Sequence, residues 1–123
     1  MTPDPKPPPR IRDLERLKDL HIRWRGDCVL ANDDDDDCYR SRYSLHHIHR
    51  HPRDDVEPNL VMLCGHGTVG HHGLIEAHDR LTCQALGIYL IRYRLDTMEY
   101  LGLKLGGVVA VREWLRSQLY API

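Results

Sequence analysis

No stretch of the sequence approaches the ~20 consecutive apolar residues that a membrane-spanning helix requires, and no apolar signal-peptide core follows Met1. These absences lead to the expectation of a cytoplasmic protein with no membrane partner. A basic excess is also missing. The 123 residues carry a formal net charge of -1, so any contact with nucleic acid has to come from local clustering of cations rather than from bulk charge. The four cysteines, Cys28, Cys38, Cys64 and Cys83, include no closely spaced pair. Without secretion, disulfides are not expected, which leaves metal ligation or buried thiols.

What is present is histidine. Residues 43–78 hold eight of the nine histidines, the only asparagine after position 32, Cys64 and a glycine-rich bend. So many imidazoles displace core volume in a chain long enough for only one compact domain, and they point to metal chemistry or catalysis. His46 and His47 are adjacent, Asn59 follows His47 by twelve residues, and His72 follows Asn59 by thirteen.

The ordered set Ser44, His46, His47, Arg50, Arg53, Asn59, Leu60, Leu63, Cys64, Gly65, Gly67, Thr68, Gly70, His72 and Gly73 resembles the HNH endonuclease family, in particular its small bacteriophage and prophage versions. The resemblance covers about a quarter of the chain closely. It departs at His71, where those proteins carry a cysteine. It implies an α+β fold, a ββα-metal finger with flanking N-terminal and C-terminal helices. It also implies a DNA substrate, a bacterial cytoplasm and phage packaging proteins as candidate partners.

Along the chain, five of the eight prolines fall in residues 1–10, which reads as an extended, disordered tail ahead of a single domain over 11–123. Ile11, Leu14, Leu17, Leu20 and Trp24 mark one face of a helix. Its arginines read as a solvated surface, with phosphate tracking as the sharper alternative. Five aspartates, Asp33 to Asp37, read as a solvated acidic loop; the ligand positions of a calcium loop are not met there. The nuclease core spans 43–79: a strand from Tyr43 to Arg50, a turn punctuated by Pro52 and Pro58, a strand from Asn59 to Cys64, and a helix from Gly70 or His71. Beyond it, Ile88 to Arg94 reads as a further strand, and a helical extension over 96–120 reads as scaffold. That extension has a capping box at Asp96 and Glu99, a stop at Gly106 and Gly107, and a last helix faced by Val108, Val111, Leu115 and Leu119.

Phosphodiester hydrolysis needs a water, a group to take its proton, and positive charge on the phosphorane and leaving oxygen. His47 is the expected general base, because an imidazole titrates near ~6.5. The resemblance gives Asn59 the part of orienting that imidazole or its loop. In a regular strand His46 faces away from His47, so His46 and His72 are assigned to one divalent ion. Imidazole ligands favour zinc, nickel, manganese or cobalt over magnesium. Arg50 and Arg53 are the expected phosphate contacts, and His49 is the rival base should the register slip.

In many HNH domains two cysteine pairs hold a structural zinc, which makes Cys28, Cys38, Cys64 and His71 a second candidate site. The bland alternative is buried thiols beside a bystander histidine. Gly65-x-Gly67-x-x-Gly70 also matches a dinucleotide-binding fingerprint. No acidic residue ends a second strand ~20 residues on, so no nicotinamide cofactor is expected. The rival to a nuclease is a non-catalytic, zinc-stabilised nucleic-acid-binding or terminase-associated module.

Overall fold

The computed structural model describes residues 10–31, 38, 39 and 41–121. The proline-rich tail, apart from Arg10, and the aspartate run 33–37 lie outside the described residues. Among the described residues the fold is mixed α+β, with five helices and a two-stranded antiparallel sheet, in the order α1 (Leu14–Arg23), β1 (Tyr43–His47), β2 (Leu60–Cys64), α2 (Gly70–Glu76), α3 (Arg80–Tyr93), α4 (Leu95–Leu105) and α5 (Val108–Ser117). None of the helices is long and apolar enough to cross a membrane.

β1 pairs with β2 so that Tyr43 faces Cys64 and His47 faces Leu60. Every residue of β2 is buried, because the helices pack over the hairpin; a two-stranded sheet alone is marginal in water. The core joins Val61, Leu63 and Cys64 to Leu86, Leu90, Leu101, Val111 and Leu115.

Where the sequence suggested a strand at Ile88 to Arg94, the chain continues helix α3 from its cap at Asp79, whose side chain accepts from Thr82 N. Leu86 and Leu90 are buried while Ile88 and Ile91 are exposed, so the burial follows a helical period. The expected capping box at Asp96 is not formed. Arg94 is the N-cap of α4; its guanidinium meets Asp96 and donates to the Leu60 and Glu57 carbonyls at 2.9 Å each. Thr97 Oγ1 donates to Pro58 O at 2.6 Å. These bonds fasten the C-terminal helices to the entrance of β2. On α1, only Leu20 of the expected apolar face is fully buried, and Ile11 and Leu14 are exposed.

The loop between the strands carries two buried carboxylates that tie the N-terminal segment down. Ile11 N donates to Asp54 Oδ1 and Asp13 N to Asp55 Oδ2, both at 2.9 Å, and Asp55 N returns a bond to Ile11 O at 2.8 Å. Asp54 also meets Lys104 Nζ at 2.8 Å and accepts from Tyr100 Oη at 2.6 Å. Burial works to raise the pKa of Asp54, but the Ile11 amide, Lys104 and Tyr100 outweigh it and hold the group below the usual carboxylate range.

A group depressed in this way stabilises fully above its unfolded pKa of ~3.9, and that contribution is lost as pH falls through the lower folded value. Asp54→Asn is therefore expected to cost about 2 kcal/mol at neutral pH, the scale of a hydrogen bond to a charged group. It should also flatten the loss of stability below about pH 4. Urea titrations of both proteins over pH check this; equal acid limbs would count against it.

Candidate metal centres and catalytic cleft

Among the described residues, two clusters of ligand-type side chains form around the hairpin. In the first, the ligand atoms of Cys28, Cys38, Cys64 and His71 lie within 4.8 Å of one another. They come from four places: the turn after α1, the segment before β1, the end of β2 and the start of α2. His71 Nδ1 is 3.4 Å from Cys28 Sγ and 3.2 Å from Cys64 Sγ. Zinc bond lengths of ~2.3 Å to sulfur and ~2.0 Å to nitrogen put a tetrahedral S···N separation near ~3.5 Å, so the spacing fits.

Cys64 and His71 meet across only seven residues because the chain doubles back between them. Gly65 has φ +80°, and a Cβ there would sit 2.0 Å from Val69 O. Only glycine closes this bend, which gives part of the dinucleotide-like glycine pattern a different use. Burial pushes the Cys28 thiol up to about 12. A metal ion reverses that preference, because the bound ligand is the thiolate. The cluster can hold an ion such as zinc, and it unites the four residues that the sequence left between a site and a set of bystanders.

The second cluster is His46, His72 and Glu76. Glu76 follows His72 by four residues on α2, which places both on one helix face. Its carboxylate Oε1 lies 3.6 Å from His46 Nδ1 and 3.4 Å from His72 Nε2. On His72 the hydrogen bonds fix which nitrogen carries the proton. Ser44 Oγ donates its one hydrogen to Gly65 O at 2.8 Å. Its short contact with His72 Nδ1 must then be donated by the ring, leaving a lone pair on Nε2. His46 is held from both sides, with Nε2 3.1 Å from Tyr120 Oη and Nδ1 facing the Glu76 carboxylate and, at 3.4 Å, the Arg50 guanidinium.

Two imidazole nitrogens and a carboxylate oxygen thus converge. Burial lowers the pKa of His46. Burial first, and then His46, brings His72 down to about 4. His46 and Arg50 hold Glu76 well below the usual carboxylate range against the opposing effect of burial. At neutral pH the set is two neutral imidazoles and one carboxylate, which suits a divalent cation.

His46 and His47 do not separate as strict alternation would have them. At the end of β1 both line one cleft of about 290 Å³, with Arg50, Arg53, His72 and Glu76. His47 Nε2 lies 2.8 Å from Asp55 Oδ1. Burial works to raise the Asp55 pKa, but the Asp13 amide and His47 outweigh it and keep it below the usual range. The carboxylate is therefore the acceptor, Nε2 carries the proton, and Nδ1 has the lone pair.

Asn59 is fully buried and does not bond the imidazole. Its Oδ1 accepts from His49 N at 2.7 Å, and its Nδ2 donates to His49 O at 2.9 Å and Asp54 O at 3.0 Å. It clamps the loop, and Asp55 on that loop holds the ring. Arg50, expected on phosphate, pairs with Glu76 while lining the cleft. Arg53 is exposed at the rim. His49, the rival base, is buried against Trp114 with ring centroids 5.3 Å apart and does not line this cleft.

Sequence reasoning missed Glu76, Asp55 and Tyr120. Tyr120 reaches His46 from 74 residues away, so the C-terminal extension is more than scaffold. It gets there because α3 carries Gly87: a Cβ at that position would lie 1.5 Å from Tyr120 O. Set against protein-family models, curated proteins and solved structures, the chain matches none.

Proposed function

We propose that this protein is a metal-dependent DNA endonuclease with a ββα-metal finger of the HNH type, hydrolysing phosphodiester bonds. The observation that carries this reading is the convergence of His46 Nδ1, His72 Nε2 and the Glu76 carboxylate in the cleft that also receives His47 and Arg53. His46, His72 and Glu76 would hold one divalent ion, which supplies positive charge to the scissile phosphate and leaving oxygen. His47 takes the proton of the attacking water at Nδ1, while Asp55 accepts from Nε2–H and balances the imidazolium that forms. Asn59 keeps the Asp55 loop in place. Arg53 meets phosphate at the cleft mouth, and Arg50 is the second cation available there. The carboxylate makes the ligand set harder than two imidazoles alone, so zinc, nickel, cobalt and manganese remain favoured with a smaller margin over magnesium. Cys28, Cys38, Cys64 and His71 hold a structural zinc in this reading.

Plasmid relaxation that chelator abolishes and added divalent metal restores is the expected result. Metal-independent DNA binding without cleavage would favour a non-catalytic module instead. Calorimetric metal titration tests the ligands. His46→Ala, His72→Ala and Glu76→Ala should each weaken affinity by more than the ~10- to 100-fold typical of losing an outer-shell partner. Ser44→Ala and Tyr120→Phe should fall within that range, and Asn59→Ala should leave affinity unchanged while lowering turnover. Equal affinities throughout would remove the assignment.

A further inference from the structure

A second cleft, of about 580 Å³, lies beside the first, between α1 and the edge of β1 away from β2. Lys18, His21, Arg25 and Arg42 line it, together with Ser44 and Leu45, and no carboxylate is among its described lining residues. Leu45 lines both clefts, and Ser44, in the wall of the second, holds His72 of the first. The two are therefore neighbours along a single strand. His21 fixes α1 to the strand edge through a 3.2 Å contact with Tyr43 O.

Arg16 meets Asp13, Arg23 meets Asp19 and Glu57, and Arg94 meets Asp96, and none of the three lines either cleft. Lys18, Arg25 and Arg42 are exposed, and no described carboxylate pairs with them. In a chain of net charge -1, cations gathered in one groove with no carboxylate among its described lining residues offer a surface complementary to an extended anion.

We infer that this groove carries the phosphate backbone of the nucleic-acid strand as it leaves the catalytic cleft, with Lys18, Arg25 and Arg42 each neutralising a phosphate. The inference rests on the nuclease reading. A polyanion cut in the first cleft has to continue past its rim, and the groove across Leu45 adjoins that cleft and is lined by cations among the described residues. An acidic peptide added along the β1 edge would satisfy the cations equally well, but it has no reason to adjoin the catalytic histidines.

The test is fluorescence anisotropy of a labelled DNA duplex, in chelator and across salt concentrations, with the full chain and the triple variant Lys18→Ala, Arg25→Ala, Arg42→Ala. The variant should bind at least ~10-fold more weakly at low salt, with a salt slope shallower by about three, roughly one for each phosphate no longer neutralised. Its hydrolysis of bis(p-nitrophenyl) phosphate, too small to reach the groove, should equal that of the unmodified protein. The charge-keeping variant Lys18→Arg, Arg25→Lys, Arg42→Lys should bind like the unmodified protein, which separates loss of charge from misfolding.

If the unmodified protein hydrolyses the small diester but the alanine variant keeps the original DNA affinity and slope, the groove assignment falls and the nuclease reading stands. An unmodified protein that cleaves neither substrate removes both. Polyglutamate that binds the unmodified protein and not the alanine variant, with DNA binding unaltered, would assign the groove to an acidic protein instead.

Discussion

Cys64→Ser is expected to lose one tightly held zinc per chain and to lower the melting temperature by about 10 °C or more. The size follows from where the ligands sit. Cys28 and Cys64 belong to the buried core, and with Cys38 and His71 they join four separate segments around a sheet of only two strands. Structural zinc contributes ~10–16 kcal/mol of apparent binding free energy in small domains, comparable to the whole stability of an ordinary one. Losing a single ligand at ~3 kcal/mol already accounts for the shift in a chain of this length. His71→Cys should keep both the ion and the stability, because sulfur and nitrogen ligands interchange in tetrahedral sites. Elemental analysis and thermal melts decide it. One exchangeable metal per chain, together with a normally folded Cys64→Ser protein, would return Cys64 to the status of a packed thiol.

The hairpin and the following helix were legible because their boundaries are written in residues with few conformational options. Pro52 and Pro58 interrupt the loop, β2 is a short apolar run, and Gly65 to Gly70 marks the bend. His46 and His72 could be paired for the same reason, since two strands and a helix in that order leave little freedom in where their ends meet. Glu76 was readable as sharing a helix face with His72, but its part as a third ligand was not. One carboxylate among 18 acidic residues gains meaning only when His46 arrives opposite it. Asp55 was harder still, because it sits in an irregular loop whose path is set by the Asn59 clamp and the Ile11 and Asp13 amides. The contact of Tyr120 with His46 depends on the tertiary arrangement of α3 and the C-terminal segment, which no local pattern encodes. The misreading of Ile88 to Arg94 has a different source. Apolar residues occur all around that part of α3, some buried and some exposed, and such a surface mimics strand alternation when burial is unknown.

The pairing of His47 with Asp55 leads to the sharpest kinetic expectation. His47→Ala should cut turnover by ~10²-fold or more, the usual scale for removing a general base, while leaving metal affinity and DNA affinity near those of the unmodified protein. Asp55→Asn keeps an oxygen that can accept from the Asp13 amide, so the loop should hold. It loses the charge that balances the imidazolium, and its amide can present an N–H where His47 Nε2–H needs an acceptor. Turnover should therefore fall by ~10-fold or more through kcat rather than KM. Because the carboxylate acts only through the imidazole, the double variant should be no slower than His47→Ala alone; groups that work as one unit are strongly non-additive. Single-turnover cleavage by the four proteins under saturating metal measures the cycle. Additive losses would mean that Asp55 serves the fold alone, and a fully active His47→Ala protein would take the base role away from His47.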